Sequence, residues 1–274
     1  MTIRLRPHRV PFRFAGPDAQ KLLNDVLTAR IVAEAGPLRW WALLSPQGKV
    51  QAEGLVGWAD GAFWLDADAS VADGFFKRMR MYKLRAQLEI EDLRGSHRVG
   101  WTDEAEEGGE ADGRDTSLGR RVIATTADAA VWAAADDRFA RRRISAGVAE
   151  LGPDFAPDSV FPHDIGMDFL GGVDFRKGCY IGQEVVSRMQ HRGTARRRPV
   201  IVAGVPDGAA AGAPVVIADR EAGTIGTPVD GEAVAIIRLD RVDEGARPTI
   251  GGLPVELRLP SWATYHFGEA TAEA

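Results

Sequence analysis

The sequence predicts an α+β protein in two parts, a mixed helix-and-strand module over residues 1–195 and a small antiparallel β-barrel over 196–274. Two textures carry this reading. Up to about residue 195, amphipathic helical segments alternate with hairpin-like strands; from Pro199 on, short β-branched runs are separated by Gly, Pro and Asp turns, with no helical periodicity. The chain of 274 residues is long enough for two or three packed units, and its 45% apolar and 27% charged content is that of a globular protein.

Arg9–Phe14 alternates like a strand. Gly16-Pro17-Asp18 then reads as a helix start, with the proline at the first helical position, and Ala19, Leu22, Leu23, Val26 and Leu27 recur at helical spacing. Trp40–Leu44, the turn Ser45-Pro46-Gln47-Gly48 and Val50–Val56 form a hairpin, followed by a strand over Gly61–Asp66. Ser70 reads as the cap of a second helix that places Val71, Phe75, Met79 and Tyr82 on one face. Its other face carries Lys77, Arg78, Arg80 and Lys83, and a strand over Leu84–Ile90 brings Arg85. The acidic, glycine-rich stretch Asp103–Ser117 reads as a loop or partly disordered segment. A second hairpin is expected from Arg120–Thr126 and Ala129–Ala134, and a third helix over Asp137–Val148 containing Arg141, Arg142 and Arg143. Barrel strands are expected at Pro199–Ala203, Val215–Ala218, Gly223–Gly226, Ala233–Leu239 and Val255–Leu259, with the domain boundary near Thr194–Arg198.

Net charge is −5, but Asp103–Asp115 holds seven acids against one arginine, so the rest of the chain is near neutral and an anionic ligand is not excluded. No run approaches the roughly 20 apolar residues of a membrane helix. The first nine residues are basic and acid-free, as organellar transit peptides are, yet the alternation from Arg9 assigns the start to the fold. A single cysteine, Cys179, forms no internal disulfide and fits a reducing compartment; a cytoplasmic protein is expected.

Cys179 lies in Arg176-Lys177-Gly178-Cys179-Tyr180-Ile181-Gly182-Gln183-Glu184. A thiol acts as nucleophile or ligand only as thiolate, which nearby cations and a helix N-terminus favour. Lys177 and Arg176 supply charge, a helix beginning at Gly182 or Gln183 puts Cys179 just outside its positive end, and Gly178 and Gly182 permit the turns that present it. The bland alternative is a small buried hydrophobe beside a turn. His191 follows one helix length later, too far along the chain for a simple Cys–His dyad, and His8, His97, His163 and His266 are scattered without zinc spacing.

The motif Lys177–Glu184, with Arg188 and Arg192-Gly193 after it, resembles the signature of the YgfZ family, folate-binding proteins related to the aminomethyltransferase of the glycine cleavage system and implicated in iron–sulfur cluster maintenance, including in enzymes that modify tRNA. Gly16–Ala19, Leu43–Val50, Tyr82–Arg85 and Arg143–Gly147 are similar to further landmarks of that family. The resemblance implies a folate-binding module of two interleaved α+β subdomains, the inner one about 45–95, plus a C-terminal β-barrel. It also implies a tetrahydrofolate-type ligand contacted by Trp40, Trp41, Arg85, Tyr180, Gln183, Glu184, Arg188 and Arg192, and a functional thiol at Cys179 supported by Lys177. Two departures bear on chemistry: the Asp-Asp pair of aminomethyltransferases is Ala52-Glu53 here, and their pterin-holding glutamate is Ser145. The expected role is an accessory protein of iron–sulfur client enzymes or cluster carriers, without membrane or nucleic-acid partners. The alternatives are a folate-dependent aminomethyl transferase and a tRNA-binding or tRNA-modification accessory protein, the latter resting on Arg141–Arg143, Arg196–Arg198 and the Lys77–Arg85 face.

Overall fold

The computed structural model describes residues 3–192, 195–243 and 245–268. Two compact units emerge, one of Met1–Asp136 with Leu170–Gln183 and one of Asp137–Phe169 with Glu184–Ala274.

The first unit holds β1 (Arg4–Leu5), β2 (Arg9–Ala15), α1 (Ala19–Val26), β3 (Arg39–Leu44), β4 (Val50–Ala59), β5 (Ala62–Asp68), α2 (Ala69–Lys83), β6 (Glu89–Asp92), β7 (His97–Thr102), β8 (Glu110–Ala111) and β9 (Arg120–Thr125). The strands form a five-stranded sheet ordered β3-β4-β5-β2-β6 and a four-stranded sheet ordered β1-β7-β9-β8. Ala19, Leu22, Leu23 and Val26 of α1 are all buried, as their helical spacing requires. Phe75 of α2 packs edge-on to Phe12 at 5.2 Å and stacks on Trp41 at 4.8 Å between ring centroids, tying α2 to β2 and β3.

Several local expectations are corrected. Helix α1 begins at Ala19 rather than Pro17, and Asp18 turns its carboxylate to the Gln87 N–H at 2.6 Å. Asp68, not Ser70, caps α2 by accepting from the Ser70 N–H. The chain leaves α2 through Leu84 at φ +41, so the expected strand over Leu84–Ile90 is confined to Glu89–Asp92. The acidic stretch is ordered: β8 pairs with β9, and an Asp112–Arg114 ion pair at 2.7 Å is buried beneath it. Instead of a hairpin with Ala129–Ala134, β9 pairs with β7, and Asp128–Val131 is a 3-10 turn. The alanine-rich run has little side chain to offer a sheet face, and the ladder goes to β7, which buries Val99 and Trp101.

The second unit holds α3 (Arg138–Ser145), α4 (Gln183–Arg192, all but its first residue), β10 (Arg197–Ala203), β11 (Pro214–Ile217), β12 (Arg220–Ile225), β13 (Glu232–Arg238), β14 (Thr249–Ile250), β15 (Leu253–Pro254) and β16 (Glu256–Arg258). Its seven strands make one antiparallel sheet ordered β15-β14-β11-β12-β13-β10-β16, around a core that includes Val200, Val202, Val215, Ala235 and Ile237. This is the expected α+β architecture with a C-terminal barrel. The compact units nevertheless divide elsewhere than near residues 194–198, because 137–169 packs with the barrel. Helix α3 lies on β13, Trp262 Nε1 donates to the Ala146 carbonyl at 2.7 Å, and Gly147, at φ +65, lies where a Cβ would stand 2.4 Å from Pro260.

Candidate functional site

The Cys179 turn is built by locking one segment onto the end of α1. Thr28, just past α1, accepts from the Ala42 N–H at 2.9 Å through its hydroxyl oxygen, donates that hydroxyl to the Gly172 carbonyl at 2.6 Å, and accepts from the Asp174 N–H at 3.0 Å through its carbonyl. Asp174 Oδ1 then accepts from the Arg176 and Lys177 N–H groups at 2.7 and 3.1 Å, an Asx turn that aims the Lys177 side chain back at the helix. Lys177 Nζ donates to the carbonyls of Asn24 at 2.8 Å, Ala29 at 2.8 Å, and Leu27. An ammonium has three donors, and all three go to carbonyls at or just beyond the α1 C-terminus, where a cation also meets the negative end of the helix dipole. Burial pulls Lys177 down to about 8, with Asp174 and Asp25 opposing it.

The three donors of Lys177 are thereby taken by carbonyls, so the ammonium fixes the turn and gives the Cys179 sulfur no hydrogen bond. Nζ lies 5.0 Å from the centroid of the Tyr180 ring. Gln183 opens α4 as expected, and its side chain accepts from the Tyr180 N–H at 3.2 Å while its own N–H donates to the Tyr180 carbonyl at 3.2 Å. Gly182 has φ +79, and a Cβ there would stand 2.7 Å from the Ser45 carbonyl oxygen of the β3–β4 turn, so only glycine fits. No such demand falls on Gly178, whose φ is not in the left-handed region and which has open space around it.

Between the Lys177 lock and the Gly182 contact, Cys179 is exposed, which removes the reading of a buried small hydrophobe. It lies on a groove of about 350 Å³ shared with Asn24, Asp25, Arg30, Asp174 and Arg176. Tyr180 is buried, its hydroxyl makes no hydrogen bond among the described residues, and burial raises its pKa.

The other sequence-predicted residues do not gather there. Trp40 and Trp41 are core residues, 1% and 0% exposed, and Trp40 Nε1 donates to Glu53 Oε2 at 2.6 Å. Arg85 is exposed on the turn after α2. Glu184 and Arg188 pair with each other one helical turn apart on an exposed face. Arg192 ends α4, and its side chain, with Gly193 and Thr194, lies outside the described residues.

A buried ionic cluster went unread in the sequence. Arg9 donates to Glu53 Oε1 at 3.2 Å and to Asp66 Oδ1 at 2.8 Å, Arg121 donates to Asp66 Oδ2 at 2.5 Å, and the Leu55 N–H donates to Asp66 Oδ1 at 3.0 Å. All four ionic side chains are at most 3% exposed. Burial alone would raise the Asp66 pKa, but Arg121 and Arg9 outweigh it and hold the carboxyl below its ordinary range. Glu53, the carboxylate at one of the two departing positions, is thereby a partner of Arg9 and Trp40 inside the fold.

Comparison with known proteins agrees with this architecture. Residues 196–265 match the family model described as the CAF17 C-terminal beta-barrel domain. The chain is 31% identical over 252 residues to the mitochondrial iron–sulfur cluster assembly factor IBA57 homolog of Chaetomium globosum, covering 76% of this chain and 57% of that protein. It is 32% identical over 204 residues to the homolog of Pyricularia oryzae, covering 67% and 52%. The chain thus spans about half the length of the curated relatives it matches. Among solved structures, the glycine cleavage system aminomethyltransferase T of Bartonella henselae superposes with a TM-score of 0.72 at 14% identity, over 97% of this chain and 87% of that one. The relatives are mitochondrial by name, which overturns the expectation of a cytoplasmic protein drawn from the free thiol. The chain is therefore similar in sequence to the IBA57 iron–sulfur cluster assembly factors, and it carries an aminomethyltransferase-like fold ending in a CAF17-type barrel.

Proposed function

We propose that this protein is an accessory factor for the assembly or repair of iron–sulfur clusters in client enzymes, with Cys179 as its functional thiol. The observation that carries the reading is an exposed cysteine on a turn fixed from both sides, by the Lys177 lock and by the Gly182 contact with the β3–β4 turn. The similarity to IBA57 homologs supports the same reading. The cluster is cargo in this account. One thiolate cannot hold it alone, and among the described residues no group of three His, Cys, Asp or Glu could hold a metal, so a client or carrier protein supplies the remaining ligands. Mixing the protein with a cluster-loaded carrier under anaerobic, reducing conditions tests this: the visible absorption of a cluster shared in the mixed complex is expected, and its loss in Cys179→Ala. Equal absorption from the variant contradicts the role.

A tetrahydrofolate-type ligand enters this reading through the motif resemblance and the fold, and two of its candidate contacts are closed to it. The intended pterin walls Trp40 and Trp41 are closed into the core, Glu53 is engaged by Arg9 and Trp40, and Ala52 and Ser145 are without carboxylates. The same facts weigh against an aminomethyl transferase, because the positions expected to supply a carboxylate for protons at a folate nitrogen hold Ala52 and an engaged Glu53. Of the arginine runs behind the tRNA alternative, Arg143 and Arg198 are buried and paired with Asp154 and Asp168, and Arg197 pairs with Asp164, so those three are engaged within the fold, while Arg141, Arg142 and Arg196 are exposed.

A further inference from the structure

The C-terminal half of α2 carries cations that the fold leaves without counter-charge. From Gly74 to Leu88 the chain has Lys77, Arg78, Arg80, Lys83 and Arg85 and no acid. Among the described residues none of the five pairs with a carboxylate: Arg78 donates to the Gln51 side chain, and Arg80 lies over the Phe76 ring at 5.7 Å. By contrast Arg13 and Arg94, on the same unit, are paired with Glu91 and Asp73 at 2.6 Å each. Of the neighbouring acids, Asp73 is thus taken by Arg94, Asp18 accepts from the Gln87 N–H, and Glu89 stands exposed beyond the segment. Two apolar side chains stand among these charges. Helix α2 buries Ala72, Phe75 and Met79 on its inner face, while Lys77, Arg80 and Met81, at i, i+3 and i+4, share the outer one. Met81 is 59% exposed, and Leu84, which ends the helix, is 85% exposed at φ +41 and ψ −104, a conformation that strains an L side chain and that glycine adopts freely. The turn is fixed: the Ala86 N–H donates to the Lys83 carbonyl at 2.7 Å, the Gln87 N–H to the Asp18 carboxylate at 2.6 Å and the Asp18 N–H to the Gln87 carbonyl at 3.2 Å. A strained leucine is therefore held out into water at the apex of a basic turn, where glycine would relieve both the strain and the exposure.

We propose that this end of α2 docks on an anionic membrane surface, with Met81 and Leu84 entering the boundary between headgroups and acyl chains and Lys77, Arg80, Lys83 and Arg85 meeting the lipid phosphates. Such a boundary takes both kinds of side chain at once, apolar tips below and cations at headgroup depth. The phosphates of a nucleic acid would satisfy the cations and leave Met81 and Leu84 in water. The chain as a whole carries −5, so attraction to an anionic surface belongs to this patch and not to the protein at large. No helix among the described residues is long and apolar enough to cross a membrane, and the contact lies at its surface. Docking of this kind goes beyond the cluster-assembly role and makes no use of Cys179.

Co-sedimentation of the full chain with vesicles tests this. Phosphatidylcholine vesicles containing about one third phosphatidylglycerol are expected to carry the protein down, pure phosphatidylcholine to leave it in solution, and about 0.5 M sodium chloride to release it. Each cation lost is expected to weaken binding about fivefold, so the triple variant Lys77→Gln, Arg80→Gln, Arg85→Gln is expected to bind about a hundredfold more weakly. Leu84→Gly separates docking from folding: relief of the backbone strain is expected to raise the melting temperature, while vesicle binding falls about fivefold. Should Leu84→Gly lower the melting temperature, Met81→Ser reads the apolar contact in its place, with the same expected loss. No sedimentation with the anionic vesicles, equal binding to neutral ones, or undiminished binding by the triple variant or by the apolar variant each overturns the proposal. So does tight, salt-sensitive binding of poly(U) RNA that the triple variant abolishes in a protein that ignores the vesicles, which would give the face to nucleic acid.

Discussion

Asp66 in the first unit and Asp154 in the second are both fully buried aspartates held by arginine, yet they titrate in opposite directions. Burial raises both. At Asp66 two guanidiniums, Arg121 and Arg9, with the Leu55 N–H, overcome burial and depress the pKa. At Asp154 only Arg143 and the Glu150 N–H oppose burial, the Glu150 carboxylate adds repulsion, and the pKa rises to about 6. Arg143 is also shared, its Nε lying 3.6 Å from Glu150. The number of cations per carboxylate, and not depth, decides whether a buried aspartate stiffens a unit at neutral pH.

The pH consequences differ in sign. The Asp66 contribution is present above the ordinary value of 3.8 and is lost as pH falls through its lower folded pKa. Asp154 is the reverse: its folded pKa lies above 3.8, so its contribution is complete below 3.8 and is lost as pH rises toward about 6.

The largest expected break is Asp66→Asn, which leaves Arg9 and Arg121 facing a neutral amide in the core; a loss of about 3–5 kcal/mol in urea unfolding is expected. Lys177→Met comes next, at about 2 kcal/mol for three ammonium–carbonyl bonds at the end of α1. Its second readout is thiol alkylation, expected to accelerate once the turn that holds Cys179 is released. Asp154→Asn is expected to cost the least, about 1 kcal/mol at pH 7, and to flatten the slope of stability against pH between 4 and 6. An unchanged slope would mean that another group titrates there.

The sequence made the periodic parts of this molecule legible and the non-local ones not. Leu22, Leu23 and Val26 announce α1, and the alternating β-branched residues of β10 and β13 announce the barrel, because each pattern is local and faces a single core. The cluster of Glu53 and Asp66 went unread, since a charge within a strand does not name its partner, and Arg9 and Arg121 lie 44 and 55 residues away. The hydrogen-bond partners of Lys177 were hidden in the same way: it stands two residues from Cys179 in sequence, while its donors reach carbonyls 148–153 residues earlier. The exposure of Cys179 and the need for glycine at position 182 were readable from the motif, because both are properties of a turn at a helix start.

The most direct measurement is the activity of cluster-dependent enzymes in a strain lacking this protein, carrying either the wild-type chain or Cys179→Ala at matched protein levels. An exposed cysteine contributes little to folding, so the variant is expected to change stability by no more than about 0.5 kcal/mol and to leave those enzymes at the level of the deletion strain. Restoration of their activity by Cys179→Ala to the wild-type level would contradict a functional thiol on this turn.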